Sequence, residues 1–236
     1  MDISAACRFD IEPRFPIPEE VSRNYTSQIL REQTFRQEQP EALLPWQKLL
    51  PADSPLIEIF DGIFDASIHA KFVQSIGEVW MSVEYILYWV DPLIHKLLSL
   101  DTEKDNNNPE NLLHDMCRLG ICIFLCPLRR NCGKLGVSGK IYVKKLKALL
   151  SSPRNANVIK LPRQFMLWIL FFGMLESGGL PEEKWFLASL VKTASGFKLA
   201  WDDLLEIVSS FLWMDTVFVK ELENAKSRYA MKLEAF

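Results

Sequence analysis

The chain has 236 residues, of which 49% are hydrophobic and 24% charged, and its net charge is −3. This composition is ordinary for a globular protein, and the length suits one large domain or two small ones. Only 10 glycines argue against a loop-rich all-β fold, and the negative net charge argues against a free-standing DNA-binding protein.

Prolines dominate the start of the chain and predict an extended N-terminal segment, residues 1–55, ahead of a helical domain, residues 56–236. They stand at positions 13, 16, 18, 40, 45, 51 and 55. Residues 19–39 are mostly polar and include a few apolar residues. This pattern predicts one exposed helix. The opening MDISAACRFDIEPRF lacks an apolar run, so we expect no secretory signal and a reducing compartment.

A long helical pattern follows over residues 63–98. Apolar residues recur there at steps of three and four, from Ile68 to Val90. Pro92 is expected to kink or split the pattern and to leave Leu93, Ile94, Leu97 and Leu98 as a short continuation. The stretch DTEKDNNNPEN, residues 101–111, predicts a polar loop.

Two further helices are predicted in the middle of the chain. The first covers residues 111–128 and is expected to end at Pro127. Its apolar run, 119–128, is too short to span a membrane. The second covers residues 141–150 and is amphipathic, with Ile141, Leu146, Leu149 and Leu150 inside and Lys144, Lys145 and Lys147 outside.

The sequence QFMLWILFFGML, residues 164–175, is uncharged and rich in aromatic residues. Its eleven apolar residues extend about 16 Å as a helix, whereas a membrane span needs about 20 residues. We therefore expect a buried central helix, packed by the helices of Trp185 and Trp201. Gly196 is expected to be a left-handed helix cap between those two helices, and residues 220–236 predict a surface helix.

No segment alternates as a strand does, so the predicted fold is all-α, an irregular multi-helix bundle. Cys117, Cys122, Cys126 and Cys132 lie in or beside an apolar helical run, which favours small buried side chains over a zinc site. The three histidines match no catalytic or metal-binding spacing. We therefore predict no enzyme, no cofactor and no metal.

Charge is unevenly distributed along the chain. Residues 116–175 contain no acidic residue and eleven Lys or Arg, so the net charge is +11 there and −14 elsewhere, because the total is −3. Such a segment is either a solvated surface balanced by acidic neighbours, which we favour, or a surface for nucleic acid or an acidic partner. The candidate basic contact face consists of Arg129, Arg130, Lys140, Lys144, Lys145 and Lys147.

Three stretches of the last third follow a recognisable order: LPRQFMLWILFFGMLESG, PEEKWFLASLVKTA and GFKLAWDDLLEIVSSFLWMD. Their order resembles the C-terminal part of the fungal-specific transcription factor domain, the helical regulatory region of fungal zinc-cluster transcription factors. DASIHAKF and residues 111–128 resemble it more weakly. Ala200 departs from the family, which often has a Ser or Thr cap there. The residues that carry the resemblance are Trp168, Gly173, Trp185, Phe186, Trp201, Phe211, Leu212 and Trp213.

The resemblance implies a transcription regulator that acts through protein contacts or ligand sensing, in the nucleus or alternatively the cytoplasm. The family's six-cysteine zinc cluster is not found in this sequence, since only Cys7 precedes Cys117. Direct DNA binding is therefore not expected. A protein partner, a small-molecule effector and a homodimer are left open, and no membrane association is expected. The alternative is a small-molecule-binding or enzymatic helical protein of fungal metabolism, with an apolar aromatic pocket.

Overall fold

A computed structural model describes residues 3–21, 43–73, 85–100, 108–131, 139–153, 161–214 and 217–234. These residues are 76% helical and contain no strand, which confirms the all-α prediction. The chain forms two compact units. Unit 1 comprises Met1–Thr102 and Leu125–Ser138, and unit 2 comprises Glu103–Phe124 and Gly139–Phe236. The predicted boundary at residue 55 stays a prediction.

In its described residues, unit 1 contains four helices and one π-helical turn, together with the last residues of helix α5, described below. In chain order they are α1 (Ile3–Phe9), α2 (Pro45–Leu49), α3 (Pro55–Val73), the π turn (Ile86–Val90) and α4 (Asp91–Leu98). Helix α3 packs against α2, the π turn and α4, and α1 packs against α4. The core of unit 1 therefore draws on both the proline-rich start of the chain and the helical pattern that follows it.

Prolines lie at the beginnings of α3 and α4. Helix α3 begins at Pro55, eight residues before the predicted pattern, because a proline at the first helical position costs no hydrogen bond. Pro92 lies in the first turn of α4, directly after the π turn, and the backbone stays helical from residue 85 to residue 98, so Pro92 does not split the pattern. The predicted inner residues Leu93, Ile94, Leu97 and Leu98 are all buried. Most of the predicted 19–39 helix, and residues 74–84 and 101–107, lie outside the described residues.

Unit 2 contains six helices in its described residues. They are α5 (Pro109–Asn131, through Phe124), α6 (Lys140–Ser151), α7 (Arg163–Glu176), α8 (Glu183–Ser195), α9 (Trp201–Ser209) and α10 (Val219–Glu234). Helix α7 contacts α6, α8, α9 and α10. Every residue of α7 from Leu167 to Met174 is buried. The prediction that QFMLWILFFGML forms a buried central helix is confirmed.

The predicted end of α5 at Pro127 is wrong. The helix continues through Pro127 to Asn131, although proline lacks the amide donor of an inner helical residue. The residues just beyond it are anchored in unit 1: Leu128 is buried, and Arg129 makes an ion pair with Asp91. These interactions offset the missing backbone hydrogen bond.

The predicted inner face of α6 is only partly right. Leu146 is buried as expected, but Ile141, Leu149 and Leu150 are half-buried, and Tyr142 and Val143 are buried in their place. The buried stripe is therefore rotated around the helix away from Ile141 and toward Val143. Sequence spacing alone does not resolve this rotation, because the helix has more apolar residues than one stripe needs.

The predicted cap at Gly196 is also wrong. Gly196 has φ −57°, in the right-handed region, and Lys198 is left-handed with φ 56°. The amide of Leu199 donates to the carbonyl of Ala194 at 3.2 Å and that of Lys198 to Ser195 at 3.0 Å. This pair of bonds defines a Schellman motif whose left-handed position is Lys198, three residues after the last residue of α8, Ser195.

Candidate functional site

The residues that carry the family resemblance meet around Trp168 in unit 2. Trp168 is fully buried, and its indole N–H donates to the carbonyl of Leu212 at 2.9 Å. Its ring lies 5.1 Å from that of Phe211 and 5.3 Å from that of Phe172. Phe124 and Phe165 are further neighbours, at 5.7 and 6.3 Å. Aromatic side chains that pack at these distances stabilise a core.

Gly173 is required by the packing of α7 against α8. A Cβ atom at Gly173 would lie 2.3 Å from Cε1 of Phe186, well inside van der Waals contact. The glycine therefore allows the fully buried Phe186 ring to rest against the backbone of α7. Gly120 plays a similar part on α5, where an added Cβ would lie 2.9 Å from the ring of Trp168.

The other tryptophans of the resemblance border this core. Trp201 packs against Phe171 at 5.9 Å and against Tyr229 of α10 at 5.5 Å. Trp213 packs against Phe218 at 5.4 Å and is half-buried. Trp185 is also half-buried, and its ring meets that of Phe186 edge to face at 5.0 Å. These contacts assign the motif to packing of unit 2.

Ala200 starts α9 without a side-chain cap. Its backbone N–H donates to Oδ2 of Asp203 at 3.0 Å. This bond is one half of a capping box, and the hydroxyl half is missing because alanine has none. The departure from the family's Ser or Thr cap is therefore partly compensated by the acidic residue in the first turn.

The six residues of the candidate basic contact face differ in their exposure to solvent. Arg129 is only 1% exposed, and a buried side chain cannot contact a partner, so its assignment to the face is wrong. Arg130 is exposed on α5 in unit 1. In unit 2, Lys140, Lys144 and Lys145 are exposed on α6, and Lys147 is half-buried.

Arg129 instead forms a buried polar cluster in unit 1, which sequence reasoning missed. Its Nε lies 3.1 Å from Oδ1 of Asp91, an ionic contact outside ideal hydrogen-bond geometry. Its Nη1 donates to Sγ of Cys7 at 3.3 Å and its Nη2 to Oγ of Ser4 at 3.1 Å. Asp91 and Cys7 are themselves buried. A guanidinium can be buried only with such partners, because its charge cannot be removed.

The cysteines in the described residues are free and buried, namely Cys7, Cys117, Cys122 and Cys126. This confirms the expectation of small buried side chains for the three that fall in α5, while Cys132 lies outside the described residues. Burial raises the pKa of the Cys117 thiol well above its usual range. Cys117 is therefore a protonated thiol at neutral pH, which suits packing and not nucleophilic chemistry.

Other polar groups with catalytic potential also have structural partners. The His69 ring stacks on Trp89 at 4.7 Å, and Nε2 of His95 lies 2.9 Å from the carbonyl oxygen of Phe15. The hydroxyl of Tyr85 donates to the carbonyl of Ala66, and burial raises its pKa well above its usual range. Across the described ranges, no three His, Cys, Asp or Glu side chains are placed to hold a metal ion.

Among the described residues, one helix has the length and composition of a membrane span. It covers Pro109–Arg130 in α5, and 78% of its most apolar stretch is buried within the protein. It also contains the buried Arg118. A helix covered by its own protein in this way has the features of a core helix.

No family model, curated protein or solved structure matches the chain.

Proposed function

We propose that the chain is a regulatory module of the kind found in fungal zinc-cluster transcription factors, acting in the nucleus through contacts with other proteins or by sensing a small molecule. The observation that carries this proposal is the packing around Trp168. Motif residues far apart in the sequence contact one another there: Gly173 accommodates Phe186, and Trp168 bonds to Leu212. If two proteins share a domain, the residues that form its core should pack together in both of them. The packing of the motif residues in this chain meets that requirement.

Packing also bears on the alternative of an aromatic ligand pocket. Such a pocket needs open space lined by apolar groups and a few convergent polar groups. At Trp168 the ring is enclosed by phenylalanine rings, and its one polar atom is already bonded to Leu212. The described contacts of Trp168 therefore favour a filled core, and the ligand-binding or enzymatic alternative has no contact in its favour among them.

A tethering experiment tests the proposed function. The full chain is fused to a heterologous DNA-binding domain, and transcription is measured in a fungal host from two reporters, one with low and one with high basal output. We expect the fusion to raise the first reporter or to lower the second, relative to the DNA-binding domain alone. Trp168→Ala should abolish the effect, because it removes the centre of the unit 2 core.

The matched control is Met231→Ala, which truncates an apolar side chain that is 64% exposed on α10. It should leave the reporter effect unchanged at equal protein level by immunoblot. If the wild-type fusion changes neither reporter, the proposed function is wrong.

A further inference from the structure

An exposed apolar stretch lies near the start of unit 1, between the end of helix α1 and the buried Val21. Six large hydrophobic side chains are exposed in the described residues, and three of them fall within seven residues of this stretch. They are Phe9, Ile11 and Phe15, which are 61%, 45% and 62% exposed. Single exposed apolar side chains are ordinary on a protein surface, whereas a group of them in one place marks a site of interaction.

Prolines restrict the backbone in the second half of this stretch. Pro16 and Pro18 are exposed, and Ile17 between them is half-buried. A proline ring fixes φ at about −65°, and the residue before a proline is held in the extended or polyproline II region. Residues 16–18 belong to no helix, strand or turn. The chain therefore presents two proline rings directly after the exposed Phe15, on a backbone suited to a polyproline II helix.

Residues 9–18, which we call the proline segment, are held in place by unit 1. Helix α1, from which the segment continues, packs against α4. Pro13 is buried, and the carbonyl of Phe15 accepts a hydrogen bond from Nε2 of His95 at 2.9 Å. A segment that is fixed in this way loses little conformational entropy when it binds a partner.

Charged side chains on the two sides of the proline segment have opposite signs. Arg8 precedes the segment and Glu20 follows it, and both side chains are exposed. Neither of them makes an ion pair within the part of the chain that the structure describes. A groove that receives the segment is therefore complementary to it when the groove is acidic near Arg8 and basic near Glu20. Such complementarity fixes the direction in which the segment lies.

We propose that the proline segment binds an aromatic-lined groove of a partner protein, of the kind that SH3, WW and EVH1 domains use for proline-rich ligands. The rings of Pro16 and Pro18 pack against the aromatic side chains of the groove. In a polyproline II helix, with about three residues per turn, Phe15 lies on the same edge as Pro18 and fills an adjoining apolar site. This inference goes beyond the proposed function, because it holds whether or not the partner takes part in transcription.

Two other occupants match the proline segment less well. A partner strand could pair with an extended segment, but each proline lacks the backbone amide that such pairing uses. A lipid surface favours apolar segments with basic flanks. The stretch from Arg8 to Glu20 instead contains two arginines and four acidic residues. Docking of a second copy of this chain is a competing outcome of the test.

The experiment uses the full chain and a panel of purified SH3, WW and EVH1 domains. Each domain is immobilised, and binding of the chain is measured by biolayer interferometry. For each domain that binds, a version with the aromatic residues of its groove replaced by alanine is measured alongside. We expect at least one domain to bind the wild-type chain, and its groove variant to lose that binding.

Two triple variants of the chain separate the proline segment from other exposed apolar groups. The test variant is Phe15→Ala/Pro16→Ala/Pro18→Ala. The matched control is Leu43→Ala/Pro51→Ala/Pro181→Ala, which removes one exposed apolar side chain and two exposed prolines elsewhere. Both variants should keep the helix content of the wild type in circular dichroism, because all six side chains are exposed. The control should bind as the wild type does, and the test variant about ten-fold or more weakly, a change equivalent to about 1.4 kcal/mol.

A charge-swapped variant tests the assigned direction. Arg8→Glu/Glu20→Lys leaves the net charge unchanged and places the wrong sign at each end of the segment. Binding should weaken about three-fold or more at low salt and by less at physiological salt, because salt screens surface charges. Unchanged binding at low salt would overturn the assigned direction.

Three results would overturn the docking proposal: no domain of the panel binds the wild type, both triple variants lose binding equally, or replacement of the groove aromatics leaves binding unchanged. A molar mass in light scattering that doubles in the wild type and not in the test variant would assign the segment to a second copy of the chain, and would also overturn it. The tethering experiment separates these failures from that of the proposed function. An active fusion whose chain binds no domain removes this inference alone, whereas an inactive fusion whose chain binds the panel removes the function alone.

Discussion

Two clusters of buried side chains, one around Trp168 in unit 2 and one around Arg129 in unit 1, are stabilised by different chemistry. Unit 2 is built around aromatic side chains that meet at Trp168, and its polar contacts there are single hydrogen bonds such as that from the indole to Leu212. Unit 1 has aromatic packing at Trp46, but it also buries an ion pair between Arg129 and Asp91. Apolar packing contributes in proportion to buried area, while a buried charge is tolerated only with its partner. Truncation and charge removal should therefore affect the two units differently.

Trp168→Ala should have the largest effect on stability, and it should fall on unit 2. Truncation of a fully buried tryptophan costs about 3–5 kcal/mol, and loss of the bond to Leu212 adds about 1 kcal/mol. Urea unfolding followed by circular dichroism measures this change, and hydrogen exchange in α7 localises it. Trp185→Ala, at a half-buried position, should cost clearly less. A loss below about 1 kcal/mol for Trp168→Ala would place that ring outside a packed core.

Arg129→Met should have the next largest effect, on unit 1. It leaves Asp91 buried without its ionic partner, at a cost of about 3 kcal/mol. The double variant Asp91→Leu/Arg129→Met removes both charges and should recover much of the loss. The same urea titrations measure both proteins. A double variant as unstable as the single one would show that the pair acts through its hydrogen bonds to Cys7 and Ser4 and not through the charge on Asp91.

Gly173→Ala should have an intermediate effect and again act on unit 2. The added methyl group would overlap the Phe186 ring, and overpacking of this kind costs about 1–3 kcal/mol. Gly178→Ala is the matched control, because its added Cβ meets nothing closer than 3.5 Å. Phe186→Leu should partly rescue Gly173→Ala in thermal unfolding. Equal effects at Gly173 and Gly178 would contradict the close contact between α7 and α8.

Replacing the left-handed residues at two helix ends should have the smallest effects, both stabilising. Lys198→Gly in unit 2 should gain about 0.5–1 kcal/mol, because glycine has no Cβ to strain in that region. Asp10 has φ 50° at the end of α1 in unit 1, and Asp10→Gly should gain less, since aspartate tolerates this conformation better than lysine. Melting temperatures measure both changes. A larger gain at Asp10 than at Lys198 would contradict this ranking.

Sequence patterns predict unit 2 better than unit 1. In α7, α8 and α9 the apolar residues repeat with helical spacing, so the elements and most of their buried residues follow from local sequence. The Arg129–Asp91 pair has no such signal, because two charged residues in different helices reveal nothing about their pairing. Arg129 follows directly after the apolar run 119–128 and stands beside Arg130, a position that predicts surface charge and not burial.

For helix α6, too, the sequence predicts the exposed residues better than the buried ones. The lysines of α6 are visible as exposed from their alternation with apolar residues, and three of the four are exposed as predicted. The rotation of the helix, which places Ile141 beside the lysines and Tyr142 inside, follows only from the packing of α6 against α7. The inner side of α6 could therefore be predicted only in part.

The sequence by itself determined the all-α class and the buried central helix, because helical periodicity acts over a few neighbouring residues. Only the tertiary structure decided that α5 continues through Pro127, that Lys198 and not Gly196 is left-handed, and that Arg129 is buried with Asp91. These features depend on residues that are distant in sequence, or on a balance in which packing offsets a local cost. Local propensity does not include those contacts.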